Sequence, residues 1–190
     1  MKDAKSPEDR ERIAEWLRGK VEAGEGPYSF PLALASLAIA NHNPGDALMY
    51  FNYVRATIVV DSSTCPDQSS GGSRFEATIF LLGGLIYKLT SDMTPEQKAE
   101  TIDRALELEN RTFQKRKVDP WLCGGGLNAY ARDLGARLNS GPNSVVRTDK
   151  APPQAGSYYA SDQVWLENRQ KALPHLKEFL LPLLSPDTSH

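Results

Sequence analysis

The string Trp121-Leu122-Cys123-Gly124-Gly125-Gly126-Leu127 sets a thiol directly before three glycines. If that run opens a helix, the positive end of the helix dipole lowers the thiol pKa and makes Cys123 an activated nucleophile. The same glycines would bare backbone N–H groups to an anion. The plainer alternative has the glycines pass close to the helix around Gly83-Gly84, with Cys123 buried or bridged to Cys65. That alternative is the stronger, because no histidine lies nearby in sequence and the glycines match no phosphate-loop pattern.

Other constellations are thinner. His42 stands in a turn, His175 follows Pro174, and His190 is terminal, with no ligand spacing among them, so no metal site and no cofactor is expected. No Gly-x-Ser-x-Gly elbow presents a serine nucleophile. Asp61 and Asp67, with serines between, hint at a calcium loop, but the spacing is not that of an EF-hand. Arg111, Lys115, Arg116 and Lys117 follow Glu100, Asp103, Glu107 and Glu109, which reads as a helix end with cations on its negative pole.

Cys65 and Cys123, 58 positions apart, are the whole cysteine complement. Two free thiols or one bridge are both open. A disulfide is the expectation, since one cysteine sits in a polar loop and the other beside a glycine-rich helix start. A bridge would place the protein in the periplasm or outside the cell, and free thiols would return it to the cytoplasm. The charged start Met1-Lys2-Asp3-Ala4-Lys5 lacks the apolar core of an export signal, and a chain whose signal is absent would begin in the same way.

For binding, the segment from Gly141 to Tyr159 is the main candidate. It interleaves Val145, Val146, Pro152, Pro153, Tyr158 and Tyr159 with polar residues. Long irregular loops in compact domains are commonly functional, and tyrosine offers large contact area at low entropic cost. The competing reading pins these side chains onto the helices. Net charge −2 and a pI near 5.9 give no global attraction to nucleic acid, which is not expected as a partner. No run of about 18 apolar residues is present, so membrane insertion is not expected either.

The elements that must position these residues are helical almost throughout. With 190 residues, 40% of them hydrophobic, one domain spanning 1–190 is expected. Ser6-Pro7-Glu8-Asp9 and Thr94-Pro95-Glu96-Gln97 each set a hydroxyl cap before a proline at the first helical position. The first helix, from about Pro7 to Ala23, presents Ile13, Trp16, Leu17 and Val21 inward and ends at Gly24-Glu25-Gly26-Pro27. The second, from about Phe30 to Asn41, is apolar nearly all round and is expected to be central. The third carries Ala47, Phe51, Val54 and Ile58 at helical intervals. After a loop near 61–73, a second all-round apolar helix spans Phe75 to Leu89. A fifth opens at Thr94, with Ala99, Ile102, Leu106 and Phe113 inward. A short sixth carries Leu127, Ala131, Leu134 and Leu138. An irregular stretch over 139–160 precedes a last helix, from about Asp162 to Leu184, that Pro174 should kink. The fold class is therefore all-α: a single-domain antiparallel array of about seven helices.

The turn Asn43-Pro44-Gly45-Asp46-Ala47-Leu48 joins the helix of Leu37 to that of Ala47-Leu48, and the helix of Gly83-Gly84-Leu85 is followed by that of Ala105-Leu106. Over about a third of the chain this loosely resembles the helical hairpins of tetratricopeptide and Sel1-like arrays. The resemblance implies a helical-hairpin array. Taken together, the chain is expected to be a non-enzymatic module that binds a protein partner. A bacterial accessory protein, such as an immunity protein neutralising a secreted toxin, fits its size and acidity. The competing classes are a small-ligand binder with a pocket between the two apolar helices, and an enzyme using Cys123.

Overall fold

The computed structural model describes residues 6–65, 69–123 and 162–181. The protein is all-α, with no strand among those residues. In chain order the α-helices are α1 (Pro7–Glu22), α2 (Ser29–Ala40), α3 (Pro44–Ser62), α4 (Ser69–Thr78), α5 (Gly84–Leu89), α6 (Pro95–Thr112) and α7 (Asp162–Leu180). A π-helical turn, Ile79–Gly83, joins α4 to α5, and a 3₁₀ turn covers Pro120–Cys123. The chain divides into two compact units. The first takes in 1–57, 78–117 and 173–190, and the second 58–77 and 118–172. The expected short helix around Leu127, Ala131, Leu134 and Leu138, and the stretch 139–160, lie outside the described residues.

The ends of the helices follow their capping chemistry. The Ser6 hydroxyl accepts from the Asp9 amide at 3.0 Å, with Pro7 in the first turn. At α6 the box is complete: Gln97 N donates to Thr94 Oγ1 at 3.2 Å, and Thr94 N donates to Gln97 Oε1 at 2.8 Å. Each satisfies an amide that the helix itself leaves unpaired. Past α1, Gly24 takes a φ of +70° and lies where a Cβ would stand 2.8 Å from Lys115 Cβ, so both conformation and space require glycine. Between α2 and α3, His42 takes the left-handed conformation, and Asn43 Oδ1 accepts from the Asp46 amide at 3.1 Å.

In the first unit, α1 packs on α2 and α6, and α2 packs on α5. The central helix is α3, rather than α2 as its apolar run suggests. Every side chain from Ala47 to Ile58 is buried, including Asn52, Arg55 and Thr57. By contrast α2 buries only Pro31, Leu34, Ala35 and Ala38. A helix enclosed on all sides must shield whatever polar groups it carries, and on α3 local pairing does so in part, with Asn52 Nδ2 left without a hydrogen-bond partner among the described residues. Arg55 Nη1 donates to Asn52 Oδ1 at 2.9 Å, and its guanidinium lies 5.4 Å from the centre of the Phe51 ring.

Three further expectations are corrected. Trp16 is not a core residue: it is 54% exposed and rests its ring against Phe30, 5.3 Å between centroids. The long loop expected near 61–73 is cut back at both ends, because α3 runs through Ser62 and α4 begins at Ser69. Gly71 makes this possible, since it faces the Ser62 side chain so closely that a Cβ there would sit 2.2 Å from Ser62 Cβ. Of the residues expected inward on α6, Ile102 and Phe113 are buried, whereas Ala99 and Leu106 are only half-buried; Ala105 and Leu108 complete the inner stripe. On α7, which continues through Pro174, Leu176 and Leu180 are buried and Leu173 half-buried; Leu183 lies outside the described residues.

Candidate partner-binding face

Between Phe75 and Thr90 the inward positions are Phe75, Thr78, Ile86 and Thr90, all buried. Thr78, Ile86 and Thr90, spaced by eight and four residues, are the buried positions of this segment within the first unit. They use up only part of the apolar content. Phe80 is 89% exposed, Leu81 65%, Leu85 55% and Tyr87 43%. The four side chains share the outward side, and Gly84, also exposed, lies among them. A Cβ at Gly84 would meet nothing within 4 Å.

The two adjacent glycines therefore do different work. Gly83 lies against the interior, where a Cβ would come 3.2 Å from Ile79 Cγ2 and 4.0 Å from Phe51 Cζ. Gly84 leaves a bare strip of backbone in the middle of large apolar side chains. Such a strip lets a second helix or strand approach closely while the flanking rings close around it. The π turn matters as well, because one widened turn shifts the helical register and π turns recur at functional sites. The four side chains present on the order of 500 Å² of surface, toward the upper end of the roughly 300–600 Å² typical of the largest patch on a monomer. From Ile79 to Tyr87 the segment carries no charge.

None of the described residues proposed from sequence lies on this face. Tyr158, Tyr159, Val145 and Val146 lie outside the described residues, as do Gly124 to Gly126 and Asp67. Cys65 and Cys123 are brought together, bonded to each other with their Cα atoms 5.2 Å apart, so Cys123 has no free thiol in this state. Asp61 is fully buried near the end of α3 and not part of a solvated loop. His42 and His175 are exposed. The basic cluster divides: Arg111, Lys115 and Lys117 are exposed, but Arg116 is buried and paired with Glu109.

Comparison with protein-family models, with curated proteins and with solved structures finds no match. No group of three or more metal-ligating side chains is found among the described residues. No described helix is long and apolar enough to cross a membrane. Shallow depressions among the described residues are lined largely by polar residue types. One of about 490 Å³ is lined by Glu8, Arg10, Glu11 and Asn41 in the first unit. Another, about 450 Å³, is lined by Ser62, Ser63, Asn168, Lys171 and Ala172 in the second. In the latter, Ser62 and Ser63 donate their hydroxyl protons to the carbonyls of Val59 and Val60, leaving oxygen lone pairs for any occupant.

Sequence reasoning missed the Phe80–Tyr87 face because it read the run from Phe75 to Leu89 as apolar all round and singled out no outward side. The signal was present in the run itself. A fully apolar segment holding a Gly-Gly pair has more apolar surface than one neighbouring helix can cover.

Proposed function

We propose that this chain is a non-enzymatic protein-binding module whose contact face is formed by Phe80, Leu81, Gly84, Leu85 and Tyr87. The single observation that carries the reading is the exposure of these large apolar side chains around a bare glycine on a π-interrupted helix. Interfaces draw their binding energy from buried aromatic and aliphatic anchors, and this face offers two aromatic rings and two leucines without a charge to desolvate. The partner is a protein with a complementary apolar surface. A secreted toxin neutralised by this chain as an immunity protein fits that description. The Cys65–Cys123 bond accords with work in the bacterial periplasm or outside the cell.

The test is affinity capture from the native host with the full chain as bait, run beside a Leu81→Glu/Leu85→Glu variant. The expected result is one protein retained by the parent and lost by the variant, with circular dichroism unchanged. Retention of the same partner by the variant would place the contact elsewhere, and the Tyr158-Tyr159 segment would be the next to substitute.

A further inference from the structure

In the second unit a covalent link joins two short segments of the chain, 63–65 and 120–123. Its buried apolar side chains among the described residues are Ile58, Val60, Cys65, Phe75 and Leu122. Helix α4 is ten residues long and opens on Ser69-Ser70-Gly71-Gly72. The helix runs on through the π turn into α5, so its weak end is this first turn, where two successive glycines lower helix propensity. The 3₁₀ turn Pro120–Cys123 is four residues long; Leu122 N donates to Asp119 O at 2.9 Å, and the Leu122 side chain is fully buried. Cys65 lies between the end of α3 and the start of α4, and Cys123 closes the 3₁₀ turn. Their bond fixes both weak segments at once.

We propose that the Cys65–Cys123 disulfide is a reducible latch on the second unit, whose opening frees α4 and the 118–123 segment while leaving the helical core of the first unit folded. This inference does not rest on the partner-binding reading, whose face belongs to the first unit. Cys65 is 4% exposed and Cys123 half-buried, so attack enters at Cys123. One thiolate of a dithiol bonds to Cys123 Sγ, and the bond between the two cysteine sulfurs breaks. The electron pair leaves on Cys65 as a thiolate, which takes up a proton. The second thiol of the reductant then displaces Cys123, which is protonated in turn, and the reductant closes into its own disulfide. The protein gains two electrons and two protons. The cross-link spans 58 positions of chain, and removing the restraint weakens the segments that depend on it by up to a factor on the order of 1,000.

Hydrogen exchange of the full chain, before and after treatment with dithiothreitol under native conditions, tests this, with alkylation confirming that both thiols are released. The expected result is a loss of protection of at least about 100-fold over 69–77 and 119–123, with 95–112 changed less than about threefold. Unchanged protection in fully alkylated protein would overturn the latch. A loss of equal size over 95–112, or a bond that opens only when the whole chain unfolds, would also overturn it. The Cys65→Ser/Cys123→Ser variant should reproduce the reduced pattern without reductant, and a variant unfolded throughout would count against the proposal.

Discussion

The Arg116 guanidinium donates from Nη2 to Glu109 Oε1 across 3.3 Å, and both side chains are almost wholly shielded from water. The pair is embedded in a short polar chain. Arg116 Nη1 donates to Thr112 Oγ1 at 3.3 Å, and Thr112 Oγ1 is 3.0 Å from the Tyr53 hydroxyl on α3. A buried ion pair stabilises little relative to well-packed apolar groups, but losing one member takes a partner from a charge that stays buried. Arg116→Met is therefore expected to destabilise the protein by about 3–5 kcal/mol, read by urea unfolding. Combining it with Glu109→Gln should recover part of that loss, because no carboxylate is then left buried. Full additivity of the two substitutions would show that the charges are not coupled.

The glycines separate by what a methyl group would meet. Gly84 is helical with open space beyond it, so Gly84→Ala should stabilise by about 0.5–1 kcal/mol. If a partner backbone approaches over Gly84, the same variant binds more weakly while melting at a higher temperature. Gly83→Ala should be close to neutral, since the helix gains propensity while the new methyl presses Ile79. At Gly71 the methyl would overlap Ser62 Cβ, and Gly71→Ala should cost about 1–3 kcal/mol. Equal melting temperatures for the three variants would contradict this ordering.

The entry point for reduction is open to a direct check. Brief exposure to a monothiol such as glutathione, followed by acid quench and peptide mass spectrometry, should find the mixed disulfide on Cys123, since Cys65 is the more buried of the two. Adducts found chiefly on Cys65 would reverse the order of attack.

The helices and their caps were legible in the sequence because they are local. Ser6-Pro7 and Thr94-Pro95-Glu96-Gln97 state their function within four residues, and the structure places the hydrogen bonds there. With no third cysteine, Cys123 was the one possible intramolecular partner of Cys65, while free thiols and a bridge were both open to the sequence. What was not legible depends on how many neighbours surround a helix. Asn52 and Arg55 in α3 look like a solvated stripe and are buried. Phe80 and Leu81 look like core and face outward. Periodicity reports which side chains share a face, while the burial of that face is decided by residues far away in the chain. The site suffered most from this, because its signal is apolar surface left over after packing.

Tyr50 offers a test of burial by pH. Its side chain is 8% exposed on α3, and its phenol is pushed up to about 12, first by burial and then by the negative charge of Asp46. Both effects disfavour phenolate. In the unfolded chain the phenol loses its proton near 10. Below that value both states hold the proton, and the contribution of the neutral, buried phenol to stability is fully present. As pH rises from 10 toward 12, the unfolded state is ionised while the folded state is not. The unfolded state then binds fewer protons, and stability falls with pH. Tyr50→Phe removes this contribution, so its stability should decline less steeply than that of the parent over the same window, read by urea midpoints at successive pH values. Asp46→Asn should move the Tyr50 midpoint back toward 10, followed by the ring-carbon resonance of labelled tyrosine assigned with the Phe variant. Parallel stability curves for parent and Tyr50→Phe, together with a Tyr50 midpoint near 10 in the parent, would mean that water reaches this phenol.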